Sequence, residues 1–178
     1  MPPPDTITTT RVIDAVARVC ATAIGVSEGD LDNHIFAAGV TDEVTAADPM
    51  VVPLADDFTE AGLPAVTVAL GPWSSAWYGS EERVSMTLLC AVWRPRLPLG
   101  EVTAQLYADR DAIADAFLDR TKAFGHEPAL QSAKPKGGPG IRSRSIPRVI
   151  SAESGRTFLT LPFTVDVTLS RRATPQPA

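Results

Sequence analysis

Residues 158–169 read Phe158-Leu159-Thr160-Leu161-Pro162-Phe163-Thr164-Val165-Asp166-Val167-Thr168-Leu169. Leu159, Leu161, Phe163, Val165, Val167 and Leu169 fall on one side, and Thr160, Pro162, Thr164, Asp166 and Thr168 on the other. A period of two is that of a β-strand, so the segment predicts a strand with one face on a core and one polar face. Pro162 lacks the amide hydrogen that a ladder needs, which predicts a bulge or an unpaired edge there.

Two upstream segments carry the same period. Val66, Val68 and Leu70 alternate with Ala65, Thr67 and Ala69, and Gly71-Pro72 is read as the end of that strand. Val84, Met86, Leu88, Cys90 and Val92 share one side of a run over 84–93 whose two faces are both largely apolar. Between these strands, Trp73 to Glu82 reads as an aromatic-rich loop, too long for a tight hairpin turn. A fourth strand is predicted over Ile141–Ile150, with Arg142, Arg144 and Arg148 on one side. Pro147 demotes it to an edge or bulged strand, and Ser151 to Gly155 forms the turn that follows.

Helical spacing occurs twice. Val12, Val16, Val19 and Ala23 form one apolar face after the N-cap candidates Thr8 to Thr10, and Gly25 suits the C-terminal stop. Leu99, Val102, Leu106, Ile113 and Phe117 form a second stripe, with Gly125 as its stop. Asp111, Asp115 and Asp119 run along another face, read as solvated rather than metal-binding. The stretch Val26 to Asp57 is acidic, carries Gly29, Gly39, Pro49 and Pro53, and has no sustained period, so it reads as a long irregular excursion. Residues 126–140 hold Pro128, Lys134-Pro135-Lys136 and Gly137-Gly138-Pro139-Gly140, a combination that opposes both helix and strand and reads as a flexible loop. Two prolines without amides within 134–140 exclude a phosphate-binding loop there.

The expected fold is α+β: a four-stranded, mostly antiparallel sheet with two helices packed on one face, and long loops. The 178 residues suit a single domain, with 44% hydrophobic and 21% charged residues in the globular range. Disordered termini are expected over about 1–7 and 173–178, and flexible loops over 73–82 and 134–140. No apolar run approaches the roughly 18 residues of a spanning helix. The opening Met1-Pro2-Pro3-Pro4-Asp5 is unlike a secretory signal, so a cytoplasmic site of synthesis is expected.

The two cysteines, Cys20 and Cys90, sit in a helical and a strand pattern, where free thiols act as small buried hydrophobes. With only His34 and His126 besides, no zinc-ligand spacing exists, and no nucleophile with a base or cofactor loop has a specific signal. The expectation is a non-enzyme with no cofactor and no metal. Charge is distributed unevenly: residues 1–82 carry Arg11 and Arg18 against 13 acids, a net −11, while residues 83–178 carry 14 bases against 8 acids, a net +6. That asymmetry fits a solvated surface, or head-to-tail contact between acidic and basic sides of successive subunits. Nucleic-acid binding is disfavoured by the acidic balance and the lack of aromatics among the bases.

The order of elements, the residues of Pro64–Leu70 and Val84–Arg94, and above all the ending Phe158–Leu169 resemble the tail terminator (tail completion) proteins of long non-contractile-tailed bacteriophages. The resemblance covers roughly residues 10–170, and the acidic excursion 26–57 departs from the short members. It implies a virion protein at the head-proximal end of the tail, assembled in the host cytoplasm as a hexameric ring. The ring would cap the major tail tube protein and meet a head-completion or neck protein, with passing contact to DNA in its lumen and none to membrane. Trp73, Trp77, Tyr78, Glu81, Glu82, Lys134, Lys136, Arg142, Arg144 and Arg148 are the candidate protein-interface residues. The alternatives are another head-tail connector, or a monomeric ligand-binding or enzymatic α+β domain with a deep pocket at Trp73, Trp77 and Tyr78.

Overall fold

The computed structural model describes residues 9–38, 62–96, 98–118, 130–135, 147–151 and 155–172. Helix α1, Thr9–Ala23, buries Val12, Val16, Ala17, Cys20 and Ala21, the face that the spacing predicts. Gly25 ends it at φ 87°, where its amide bonds the Thr22 carbonyl (3.1 Å) and that of Val26 the Ala21 carbonyl (3.1 Å). This pairing of amides satisfies two of the carbonyls that a helix end leaves open, and Val26 turns back into the core.

The acidic excursion is not irregular at its start. A 3-10 turn (Glu28–Asp30), a single helical turn α2 (Leu31–His34) and a short strand β1 (Ile35–Ala38) follow directly. Leu31 is buried, and His34 Nδ1 donates to the Pro64 carbonyl (2.8 Å), so this histidine ties α2 to the entry of the next strand. Strand β1 pairs in parallel with β2 (Ala65–Tyr78), in register Ile35↔Val66 to Ala38↔Ala69. The sheet is therefore mixed. A parallel neighbour needs a long crossover, which the residues between Ala38 and Ala65 supply.

Strand β2 turns into β3 (Glu81–Pro95), and β3 pairs along its full length with β6 (Thr157–Arg172). Beyond β6 the edge is shared: β5 (Arg148–Ser151) pairs with its first part through Thr160, and β4 (Leu130–Pro135) with Val165 to Leu169. Five positions hold six strands, in the order β1-β2-β3-β6 and then β4 or β5. This corrects the four-stranded expectation: the excursion contributes β1, and Leu130 to Pro135, read as part of a flexible loop, forms β4. Of the strand expected over 141–150, only its end lies among the described residues. Pro162 makes no bulge in the pairing with β3; it falls in the gap between β5 and β4, where β6 has no outer neighbour among the described residues.

Helix α3, Leu99–Leu118, lies beside α1 on one face of the sheet, as expected. Val102, Leu106, Ile113, Ala114 and Phe117 are buried, whereas Leu99 and Leu118 at its ends are exposed. Gly125 lies outside the described residues. The main core is the layer between these helices and Val66, Val68, the even residues Val84 to Val92, and the odd residues Leu159 to Leu169. The opposite face is not wholly polar. At one end Ala65, Ala91, Trp93 and Phe158 form a second buried cluster, Trp93 meeting Phe158 edge-on at 6.3 Å and donating Nε1–H to Thr67 Oγ1 (3.0 Å).

Asp109 occupies a core position of α3, three residues after Leu106 and four before Ile113. Its carboxylate receives both Nε (2.7 Å) and Nη2 (2.8 Å) of Arg94, whose side chain is 11% exposed against 6% for Asp109. This two-pronged pair clamps α3 to the end of β3. Removing one member leaves the other charge buried and uncompensated, at a cost of about 3–5 kcal/mol. Asp109→Ala is expected to lower the urea midpoint by that amount of stability, while Arg94→Met with Asp109→Leu restores most of it; equilibrium unfolding of the three variants checks this.

Candidate functional site

The β2–β3 hairpin is the most distinctive surface. The segment Trp73–Glu82 is not a loop: β2 continues through Tyr78, Gly79-Ser80 alone makes the turn, and β3 begins at Glu81. Two glycines make this geometry. Gly79 holds φ 65°, as the first residue of a two-residue hairpin turn requires. At Gly71 a Cβ would stand 2.8 Å from the Thr87 carbonyl oxygen, so only glycine lets the strands stay this close where the register shifts between Leu70 and Trp73. Pro72 sits in that bulge, which tolerates its missing amide.

After the bulge the register is Trp73↔Met86, Ser75↔Val84 and Trp77↔Glu82. Paired residues share a face, so Trp73, Ser75 and Trp77 lie on the side of the helix layer, and Ser74, Ala76 and Tyr78 on the other. Met86 and Val84 are each only 4% exposed, yet Trp73 is 64%, Trp77 60% and Tyr78 60% exposed. The indoles thus stand free beside a covered core, about 13 Å apart along the strand.

The charged residues at the tip are partly matched within the chain. Arg83 lies 5.0 Å over the Tyr78 ring and reaches Glu81 Oε1 (3.4 Å), and the Ser170 hydroxyl donates to the same oxygen. The backbone register sets Glu81 opposite Arg172 and Glu82 opposite Arg171. Of the predicted interface residues, Trp73, Trp77, Tyr78, Glu81 and Glu82 therefore come together on one hairpin. Arg148 does not join them: it pairs with Thr160, which pairs with Trp93, at the other end of the sheet. That is about 35 Å along β3 from Glu82. The backbone of Lys134 lies in β4 opposite Asp166, and Lys136, Arg142 and Arg144 lie outside the described residues. Nothing in the sequence spacing singles out Arg83 or Ser170, which the pairing of β3 with β6 brings level with each other.

An open depression of about 460 Å³ touches Trp73 but not Trp77 or Tyr78, and is lined chiefly by Pro72, Ser74, Ser85, Thr87, Asp166 and Thr168. Thr87 Oγ1 donates to Asp166 Oδ1 within it (2.7 Å). Among the described residues no three His, Cys, Asp or Glu side chains come together as a metal site would need, and no helix is long and apolar enough to cross a membrane. Cys20 and Cys90 are free and fully buried; desolvation raises both thiols, and for Cys90 the neighbouring Cys20 adds to it. Searches against protein-family models and against curated proteins find no match to this chain.

Two outcomes follow from this geometry. Gly71→Ala is expected to destabilise the protein by about 1–3 kcal/mol, because the new methyl meets backbone rather than a side chain that could yield, as chemical denaturation would register. Neither cysteine is expected to react with a thiol reagent in the folded protein, and both to react once it is unfolded, which mass spectrometry after timed labelling reads directly.

Proposed function

We propose that this chain is a structural subunit of a phage tail, a terminator that assembles as a hexameric ring on the end of the tail tube and meets the neck. The observation that carries the reading is the hairpin, a β-ribbon presenting Trp73, Trp77 and Tyr78 to solvent at one end of the sheet. Exposed aromatics on a fixed scaffold are the anchors that protein interfaces use, since they bury large areas at little entropic cost. The reading is further supported by the distance between this hairpin and the Arg148 edge, which gives each subunit two unlike surfaces, as head-to-tail closure of a ring requires. In this reading the hairpin seats on the tube or neck, and the ring closes through contacts between unlike edges.

The test mixes purified chain with polymerised tail tube protein and follows the mixture by light scattering and electron microscopy. Rings seated at one end of the tubes, and tubes that stop lengthening, are the expected result. Charge reversal at Arg142 and Arg144 is expected to weaken ring closure at low salt. A chain that ignores both tube and neck proteins would sink the reading.

A further inference from the structure

The outer edge of β2 has no partner beyond Ala69 among the described residues. β1 covers only Val66 to Ala69, whereas β2 runs on to Tyr78, and residues 72–80 are exposed throughout. Edges are usually defended by charge, by proline or by brevity. Here the only defence is Pro72 at the bulge; Trp73-Ser74-Ser75-Ala76-Trp77-Tyr78 has neither charge nor proline.

This run is also self-complementary. Trp73 and Trp77 are placed symmetrically about Ser75 and share one face. If two copies pair antiparallel about a two-fold axis at Ser75, Trp73 of each comes directly opposite Trp77 of the other. Two cross-strand tryptophan pairs form on one face, and Tyr78 comes level with Pro72 of the other copy. Cross-strand aromatic pairs are among the favourable contacts of a sheet, and ring pairs add to the area that they bury. The edge between Ala69 and the turn is long enough for this register, and the turn at Gly79-Ser80 ends it.

We infer that β2 of one chain pairs with β2 of a second copy, in antiparallel register about Ser75, to make a two-fold dimer of the free protein. The contact is small. Six exposed rings and two short strand edges come to on the order of 1,000 Å², the lower limit for a specific interface. The pairing is a property of the chain alone and does not rest on the tail reading, but it occupies the hairpin that the tail reading assigns to the tube or neck.

The test uses the full chain. Sedimentation and light scattering across concentration are expected to show a monomer–dimer equilibrium, with tryptophan emission shifting to the blue as dimer forms. Trp73→Ala and Trp77→Ala are each expected to weaken it about tenfold or more. Ser75→Cys places two thiols across the axis, while Cys20 and Cys90 stay buried. Mild oxidation should therefore give a covalent dimer at least about tenfold faster than Ser80→Cys, whose side chain lies in the turn. A monomer at all concentrations overturns the inference. So does a dimer or larger ring in which Ser75→Cys cross-links no faster than Ser80→Cys. A ring of that second kind would leave the tail reading standing, and a Ser75-linked dimer that ignores the tube would fail the tail reading alone.

Discussion

The pairing of β3 with β6 is the constraint on which the other elements depend. It runs from Glu81↔Arg172 to Pro95↔Phe158 without a shift, and on the helix side every pair from Val84↔Leu169 to Val92↔Leu161 is apolar. A slip by one residue would turn Leu161, Val165, Val167 and Leu169 to the opposite face and put Thr164, Asp166 and Thr168 under the helices, so the register is fixed by burial rather than by a turn. β2 joins through a two-residue turn, β4 and β5 divide the outer edge of β6, and α1 and α3 cover the face on which those apolar side chains converge.

A buried, two-pronged ion pair serves that arrangement. Arg94 is the last residue of β3 to face the helices, and a carboxylate at the core position of α3 receives it in a fork that only one placement of the helix permits. A buried ion pair gives little net stability against a well-packed apolar pair. What it gives here is position: a strand end and a helix middle are locked by two hydrogen bonds of defined direction. The second cluster, with Trp93 satisfied by Thr67, also keeps its buried polar group paired, whereas Thr160 Oγ1 is buried without a hydrogen-bond partner among the described residues. That orphan hydroxyl withholds about 1–3 kcal/mol from the fold.

The sequence is legible where period and burial coincide. The β6 alternation, the α1 face and its glycine stop, and the helix pair on one side of an α+β sheet could all be read from residue spacing, because one side of each element meets the core. The rest was hidden for physical reasons. Gly71-Pro72 reads as a strand end, but on an outer edge a glycine and a proline can be absorbed by a bulge, and the strand then continues through residues that bury nothing. Trp73 to Tyr78 lies outside the core, so no hydrophobic alternation announces it. β1 is only four residues long and held by a parallel neighbour far along the chain, which leaves almost no local signal. Asp109 was legible in principle, since an acid between Leu106 and Ile113 demands a buried cation, but nothing local points to Arg94.

The charge asymmetry between the two halves of the chain needs the same correction. A net −11 followed by a net +6 suggests two surfaces of opposite sign, yet the junction of the halves is where the fold folds them together. Glu81 and Glu82, the last acids of the first half, enter β3 opposite Arg172 and Arg171, the last bases of the second. Glu81 accepts from Arg83 and from the Ser170 hydroxyl, so this acid is matched within the hairpin end itself. The large side chains exposed there are aromatic: Trp73, Trp77 and Tyr78. An interface built at this end should therefore derive its strength from desolvating indole and phenol rings, and its salt dependence should be weak, because Arg83, the base beside them, is already engaged by Glu81 and the Tyr78 ring. Arg148 lies at the opposite end of the sheet, on the strand that pairs with the start of β6, so the two ends differ in character: exposed rings at the hairpin, where contact area would dominate, and a basic residue at the far edge, where long-range charge would.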